Sequence, residues 1–253
     1  MEIENIYDKI REILGEMPGN LNILEERIDI DLQMEYFDYS RKIKNNLDQE
    51  FIIQNKDDIF NHDLSEETRK KRFAELASVD NVLAYRTIEK YVKSQETDLR
   101  SWAILALQES RMLLESKLLD ENQVFISTGL GGKGSRLRYF IVLILKSGKE
   151  FTALYKKVIK NEFEIITQKY SAEIERLTFF GNYATLTIII PLEVPIKEML
   201  KKSIRECNQY GNFLRTHFIV TNVKELSEKE IDNFLIGRKQ ISKDNCDESA
   251  PDF

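Results

Sequence analysis

Apolar residues recur every three to four positions through most of residues 1–119, and this spacing predicts a helical N-terminal region. Isoleucines share one face of a predicted helix over residues 2–14, which the glycine- and proline-containing segment 15–20 ends. The next helical pattern covers residues 24–47 and bends near the Asn45-Asn46 pair. The first part of the chain should therefore pack as helices rather than as a sheet.

The helical pattern is clearest between residues 65 and 118, where it predicts three helices. Ser65 is expected to cap the first, because a serine oxygen at this position can accept from a free backbone N–H. Thr97 or Asp98 is expected to begin the third, which is long and rich in leucine and alanine.

Residues 98–107, with the sequence DLRSWAILAL, resemble the second helix of a HEAT-type repeat. The resemblance covers residues 68–118, with the preceding helix as its partner. It implies a protein-binding scaffold, since such repeats present extended binding surfaces. An ordinary αα-hairpin with a small-residue contact face is the alternative.

Beyond Gln123 the pattern changes to short runs of β-forming residues separated by helices. Strands are predicted over residues 123–128, 137–145, 173–180, 183–191 and 213–222. Helical spacing fills the segments after residues 150 and 195. The order from Leu137 is βαββαβ, which fits a ferredoxin-like sandwich.

The predicted fold class is therefore α+β: a helical N-terminal domain built of αα-hairpins, HEAT-like in its repeat, and a ferredoxin-like C-terminal domain with an antiparallel sheet. The helical domain is expected to span residues 1–119 and the ferredoxin-like domain residues 120–223. A C-terminal helix should follow over residues 224–236, and residues 237–253 should be a disordered tail.

Composition supports a folded chain with many helices. Of 253 residues, 42% are hydrophobic and 32% charged, which excludes simple disorder, and the 10 glycines and 4 prolines are few for a turn-rich β protein. The net charge of −6 is unevenly spread: residues 1–60 carry 15 acidic and 7 basic side chains, whereas residues 121–223 carry 9 and 15. This polarity suggests a nucleic-acid-facing half or two halves that attract each other.

Several chemistries find no support in the sequence. Two cysteines, Cys207 and Cys246, are too few for a disulfide framework or a four-cysteine zinc site. With His62 and His217 they are also too far apart along the chain for a local metal-binding motif. The N-terminus lacks the features of a signal peptide, and no apolar run is long enough to span a membrane. We therefore expect a cytoplasmic protein without membrane contact, bound metal or cofactor.

A glycine-rich basic segment is the strongest candidate binding motif. Residues 129–134, GLGGKG, match the letters of G-x-G-x-x-G, but a predicted strand follows them where a nucleotide site needs a helix. A β-hairpin loop that needs positive φ angles is one interpretation. The other is an anion-binding loop, because arginine and unhindered glycine N–H groups suit phosphate or carboxylate. The candidate residues are Gly129, Gly131, Gly132, Lys133, Gly134, Arg136 and Arg138.

A second set of basic residues lies on the two predicted helices of the C-terminal domain, mostly at solvent-facing positions. They form either a solvated face or a surface that follows phosphates. The set is Lys156, Lys157, Lys160, Lys197, Lys201, Lys202 and Arg205.

No acid–base pair, nucleophile set or cofactor loop has the neighbouring sequence that its chemistry would need. The sequence therefore favours a non-catalytic interaction or adaptor protein whose partner is another protein. The alternative is an RNA- or phosphate-binding module that uses the loop 129–138 together with the basic helices. A third interpretation is an enzyme whose site forms between the two domains.

Overall fold

The computed structural model describes residues 21–44, 47–94, 98–120, 123–147 and 150–244, with side chains through residue 236. The predicted helix over residues 2–14, its end at 15–20, the Asn45-Asn46 bend and residues 245–253 lie outside this part of the chain. The described residues form two compact units, residues 21–137 (the N-terminal unit) and residues 138–244 (the C-terminal unit).

The N-terminal unit is mainly helical and has a small sheet in which β1 and β2 pair in parallel. Its elements are β1 (Leu21–Ile23), α1 (Ile30–Ile43), α2 (Gln49–Gln54), a 3₁₀ turn (Lys56–Phe60), α3 (Glu66–Ala77), α4 (Val82–Lys93), α5 (Arg100–Leu119), β2 (Val124–Ile126) and β3 (Gly132–Lys133). The sequence pattern missed β1, which is only three residues long. Because β2 pairs with β1, the predicted strand over residues 123–128 does not extend the large sheet.

Helix α5 is the centre of the N-terminal unit and packs against α1, α3 and α4. Its Trp102 is 1% exposed, makes an edge contact with Tyr36 at 5.0 Å between ring centroids, and donates from Nε1 to the Lys70 carbonyl at 3.1 Å. In a HEAT-type array each helix pair packs on the next pair. Here one helix contacts three others, so the packing does not show the predicted HEAT-like repeat.

In this unit a side chain caps the N-terminus of every α-helix except α5. The Ser65 side chain accepts from the Thr68 N–H at 3.2 Å and caps α3, which confirms the prediction. Helix α5 was predicted to begin at Thr97 or Asp98, but it begins at Arg100, and the Asp98 carboxylate pairs with the buried guanidinium of Arg69. Leu99, with a φ of 52°, precedes α5 instead and provides no side-chain cap.

The C-terminal unit combines one sheet with two packed helices and a third helix at its end. Its elements are β4 (Arg136–Leu145, which begins two residues before the unit boundary), α6 (Ala153–Lys169), β5 (Glu173–Phe179), β6 (Tyr183–Pro191), α7 (Ile196–Asn208), β7 (Leu214–Thr221) and α8 (Glu228–Asp244). The strand order is β5-β6-β4-β7, with antiparallel pairing of β5 to β6 and of β4 to β7. Helix α8 extends eight residues beyond the predicted end at residue 236.

These elements confirm the predicted α+β class with an antiparallel sheet. The two-residue turn at Gly181-Asn182 is also confirmed, since the Phe180 N–H donates to the Tyr183 carbonyl at 2.9 Å across it. The predicted domain boundary after residue 119 stays a prediction, while the compact units divide at residue 137.

The core of the C-terminal unit lies between the sheet and the inner faces of α6 and α7. Ile141 and Leu143 of β4, Phe163 of α6 and Leu200 of α7 are almost fully buried in it. Because these apolar stripes point inward, the opposite faces of both helices are left to solvent.

Replacing Phe163 with alanine should destabilise the protein by about 3–5 kcal/mol, because its fully buried ring fills the core under α6. The same change at Phe234, which is 50% exposed, is the matched control and should shift the free energy of unfolding by only about 0.5 kcal/mol. Urea unfolding followed by circular dichroism measures both. Equal effects would contradict the burial described for Phe163.

Candidate nucleic-acid interface

The glycine-rich segment folds as a tight turn followed by a β-hairpin. The Gly131 N–H donates to the Thr128 carbonyl at 3.1 Å, and Gly131 has a φ of +67°. Gly132 and Lys133 then pair with the first residues of β4 across a turn in which Gly134 has a φ of +59°. Two glycines therefore adopt backbone conformations that other residues rarely adopt, as expected for a hairpin loop.

Glu25 occupies the backbone donors that an anion would need. Its carbonyl accepts from the Gly132 N–H at 3.3 Å, and its carboxylate Oε1 accepts from the Gly134 N–H at 2.8 Å. A Cβ on Gly131 would lie 2.4 Å from the same Glu25 carbonyl oxygen, so the loop packs directly on this backbone. Gly131 therefore allows close packing on the Glu25 backbone, and the Glu25 carboxylate binds the Gly134 amide.

The predicted site residues do not form one cluster. Gly129, Gly131 and Gly132 are buried in the N-terminal unit, while Lys133 and Gly134 are exposed at the hairpin tip. Arg136 is half-buried in the same unit.

Arg138 belongs to the C-terminal unit, where one edge of its guanidinium donates two hydrogen bonds to the Glu175 carboxylate. The Nε–Oε2 distance is 2.6 Å and the Nη2–Oε1 distance is 2.9 Å. This bidentate pair uses the geometry that would otherwise suit a phosphate. Sequence reasoning missed Glu25 and gave Glu175 no partner, because each lies far along the chain from the group it contacts.

The basic side chains of α6 and α7 form the most cationic helical surface of the C-terminal unit. Each helix carries four basic and two acidic residues. Lys157 and Lys160 on α6 and Lys197 and Lys201 on α7 are exposed, and none has a carboxylate within 4.0 Å among the residues that the structure describes. Arg205 is also exposed and reaches only its neighbour Glu206, at 3.9 Å. We call Lys157, Lys160, Lys197, Lys201 and Arg205 the basic helical face.

Sequence spacing makes part of this face a continuous row. Lys197, Lys201 and Arg205 are separated by four residues each, so they follow one another along the same side of α7. Lys197 also lies in the first turn of the helix, close to the positive end of the helix dipole. The helix dipole therefore disfavours Lys197 but favours Arg205, which lies in the last turn.

A smaller cavity of about 300 Å³ lies on the other side of the sheet, between Phe140, Thr185 and Ile231. Arg176 and Glu225 also line it and are ion-paired with each other. Its main charged groups are therefore satisfied within the protein.

Nearby, burial raises the pKa of Tyr183, and the carboxylates of Glu228 and Asp232 raise it further. A raised pKa keeps the Tyr183 hydroxyl protonated at neutral pH.

The groups considered for catalysis are dispersed. His62 and His217 are both exposed, in different units. The described residues contain no group of three or more histidine, cysteine, aspartate or glutamate side chains that could hold a metal ion. In that part of the chain, no helix is both long and apolar enough to cross a bilayer.

No family model and no curated protein matches the chain. Among solved structures, one similar chain is a Deinococcus radiodurans R1 protein assigned as a transposase, with 17% identity and a TM-score of 0.36 over 42% of this chain and 93% of that chain. Another is a REP-associated tyrosine transposase bound to a REP hairpin, with 7% identity and a TM-score of 0.31 over 35% of this chain and 57% of that chain.

These comparisons correct the functional prediction. One similar structure is named as a transposase bound to a REP hairpin, the other was assigned as a transposase, and neither name describes an interaction adaptor. The prediction of a non-catalytic, protein-binding adaptor was therefore wrong.

Replacing Gly131 with alanine should destabilise the protein by more than about 2 kcal/mol, because a positive φ and a contact with the Glu25 carbonyl oppose the new Cβ together. Gly134→Ala is the first control: it has a positive φ but open space, so about 1 kcal/mol is expected. Gly181→Ala, with neither constraint, should be nearly neutral. Urea unfolding ranks the three, and any other order would contradict the packing of the loop on Glu25.

Cys207 should be inert as a nucleophile in the folded protein. Burial raises the pKa of its thiol to about 12, with the negative charge of Glu162 adding to the effect. At about pH 8 only roughly one thiol in ten thousand is then ionised, and the thiolate is the reactive form. In a Cys246→Ser background, Ellman's reagent should label Cys207 stoichiometrically in urea and hardly at all without it. Rapid labelling of the native protein would contradict this.

Proposed function

We propose that the C-terminal unit binds the phosphate backbone of nucleic acid through the basic helical face. The observation that carries the proposal is the row of exposed cations on α7, together with two exposed lysines of α6. Among the described residues the four lysines of this face have no carboxylate within 4.0 Å, and Arg205 reaches only Glu206, at 3.9 Å. Lysine and arginine side chains that neutralise phosphates supply most of the sequence-independent affinity for nucleic acid. The REP hairpin bound to one of the similar structures suggests a hairpin as the first ligand to try.

The energetics of α7 favour a ligand over a merely solvated surface. Like charges spaced four residues apart destabilise a helix by about 0.2–0.5 kcal/mol per pair, and a cation in the first turn is unfavourable as well. Neutral side chains at Lys197 and Lys201 would therefore make the helix more stable. A polyanion bound along the row would convert this repulsion into attraction.

The hairpin tip at Lys133 is a second candidate contact for phosphate. Its lysine side chain is exposed, whereas its glycine amides serve the fold through Glu25. We therefore assign Lys133 and Arg136 at most an auxiliary role, and Arg138 a structural one through Glu175.

We also propose that the C-terminal unit is a ferredoxin-like sandwich. The element order βαββαβ and the strand order β5-β6-β4-β7 support this assignment. In such a sandwich both helices cover one face of the sheet, so their outer sides are available to a ligand.

The double variant Lys197→Ala/Lys201→Ala should bind a DNA hairpin at least about tenfold more weakly than the unmodified chain near 0.1 M salt. The slope of log K against log salt should fall by about 2, one for each lost phosphate contact. Fluorescence anisotropy of a labelled hairpin, measured between about 50 and 200 mM potassium chloride, gives both quantities. A single-stranded RNA of equal length tests whether the face distinguishes the two nucleic acids.

Arg41→Ala/Lys42→Ala is the matched control, because it removes two exposed cations from the N-terminal unit. It should leave the salt slope unchanged. If both double variants lower the affinity for the hairpin equally, binding depends on net charge alone. Absence of salt-dependent binding by the unmodified chain would refute the proposal.

A further inference from the structure

A cavity of about 290 Å³ lies within the N-terminal unit, bounded by β1 and the segment after it, the end of α4 and one side of α5. Helix α5 contributes Ile104, Leu107, Gln108 and Arg111, whose spacing of three to four residues places them on the same side of the helix. The volume is at the lower limit of the range of about 300–1,000 Å³ that small-molecule sites occupy. The cavity therefore suits a ligand with few non-hydrogen atoms.

Arg111 gives the cavity wall a positive charge that the protein itself leaves unpaired. Its side chain is half-buried, and none of the described residues places a carboxylate within 4.0 Å of it. The Glu89 carboxylate pairs with Lys93 at 2.8 Å; that contact and, from further away, Arg111 lower its pKa. The Glu115 carboxylate, one turn further along α5, accepts from the Asn22 amide at 3.3 Å. An anionic partner for Arg111 must therefore come from outside these residues.

Gln108 places an amide beside the same guanidinium. It lies three residues before Arg111 on α5 and is half-buried, and its side chain forms no hydrogen bond within the described part of the chain. The side-chain nitrogens of both residues keep accessible surface, so they can donate to a ligand in the cavity. A carboxylate can accept from both, because its two oxygens match the paired N–H groups of arginine and leave acceptor sites for an amide.

Glu26 gives the same cavity a negative charge. It follows β1, is exposed, and has no cation within 4.0 Å in the ranges that the structure describes. Glu25 lines the cavity as well, but its carboxylate accepts from the Gly134 N–H at 2.8 Å. Glu26 and Arg111 thus line one small cavity without pairing with each other. A ligand that carries both an ammonium group and a carboxylate would pair with both.

Apolar side chains complete the wall. They come from all three elements and are Ile23 of β1, Val92 of α4, and Ile104 and Leu107 of α5. Contact with these side chains favours an aliphatic group on the ligand, because it removes apolar surface from water.

We propose that this cavity binds a free α-amino acid with an aliphatic side chain. Arg111 and Gln108 donate to its carboxylate, Glu26 accepts from its ammonium group, and its side chain packs on the apolar part of the wall. The proposal concerns the N-terminal unit alone and does not depend on nucleic-acid binding by the C-terminal unit.

The first test titrates the full chain with L-leucine in a calorimeter. We expect saturable binding of one L-leucine per chain with a Kd below about 1 mM. Isoamylamine, which is leucine without its carboxylate, should bind at least about tenfold more weakly, because Arg111 then stays unpaired. Isocaproate, which lacks only the ammonium group, should bind about two- to fivefold more weakly, because the lost ion pair is exposed. Equal affinity of L-leucine and either analogue, or no saturable binding of L-leucine, would overturn the proposal.

Two variants assign the two charges of the ligand. Arg111→Met should lower the affinity for L-leucine at least about tenfold. Glu26→Gln should lower it about two- to fivefold and leave the affinity for isocaproate unchanged, because isocaproate has no ammonium group to lose. Arg86→Met is the matched control, since it removes an exposed cation of α4 that does not line this cavity, and it should bind L-leucine like the unmodified chain.

Circular dichroism checks that each variant folds. Neither Arg111→Met nor Glu26→Gln should lower the melting temperature of the free protein, because neither side chain has an ion-pair partner among the described residues. Glu26→Gln carries the test if Arg111→Met does not fold. Undiminished binding of L-leucine by a folded Arg111→Met or by Glu26→Gln would overturn the proposal.

Discussion

The burial of β4 is the constraint on which the C-terminal unit depends. Residues 140–145 are all apolar and all nearly inaccessible, so both faces of this strand must be covered while its edges pair with β6 and β7. Covering one face takes the inner sides of α6 and α7. The opposite sides of these helices therefore face solvent, and their exposed lysines lie on those sides. The proposed interface is a consequence of how the central strand is buried.

The glycine-rich loop shows how a motif can match in letters and differ in physical role. A phosphate loop leaves its amides free and places a helix behind them. Here Glu25 uses the amides of Gly132 and Gly134, and a strand follows. Because glycine has no side chain, a phosphate can approach the backbone of a phosphate loop closely. In this loop the Glu25 backbone makes that close approach instead. The motif therefore contributes to stability, and positive charge available for binding is concentrated on the helices.

The proposed interface on the basic helical face depends on charge, so binding through it should weaken steeply with salt.

The sequence by itself determined the elements whose signals are local. The apolar run of β4, the turn at Gly181-Asn182 and the cap at Ser65 were predicted correctly because neighbouring residues carry the information. Strand β1, the pairing of Asp98 with Arg69 and the contact of Glu25 with Gly134 were not, since each depends on groups brought together by folding. The adaptor prediction was wrong because it rested on the absence of catalytic motifs. Only the tertiary structure decided which basic residues stay unpaired and which polar atoms are buried, because pairing and burial are properties of distance in space and not of order along the chain.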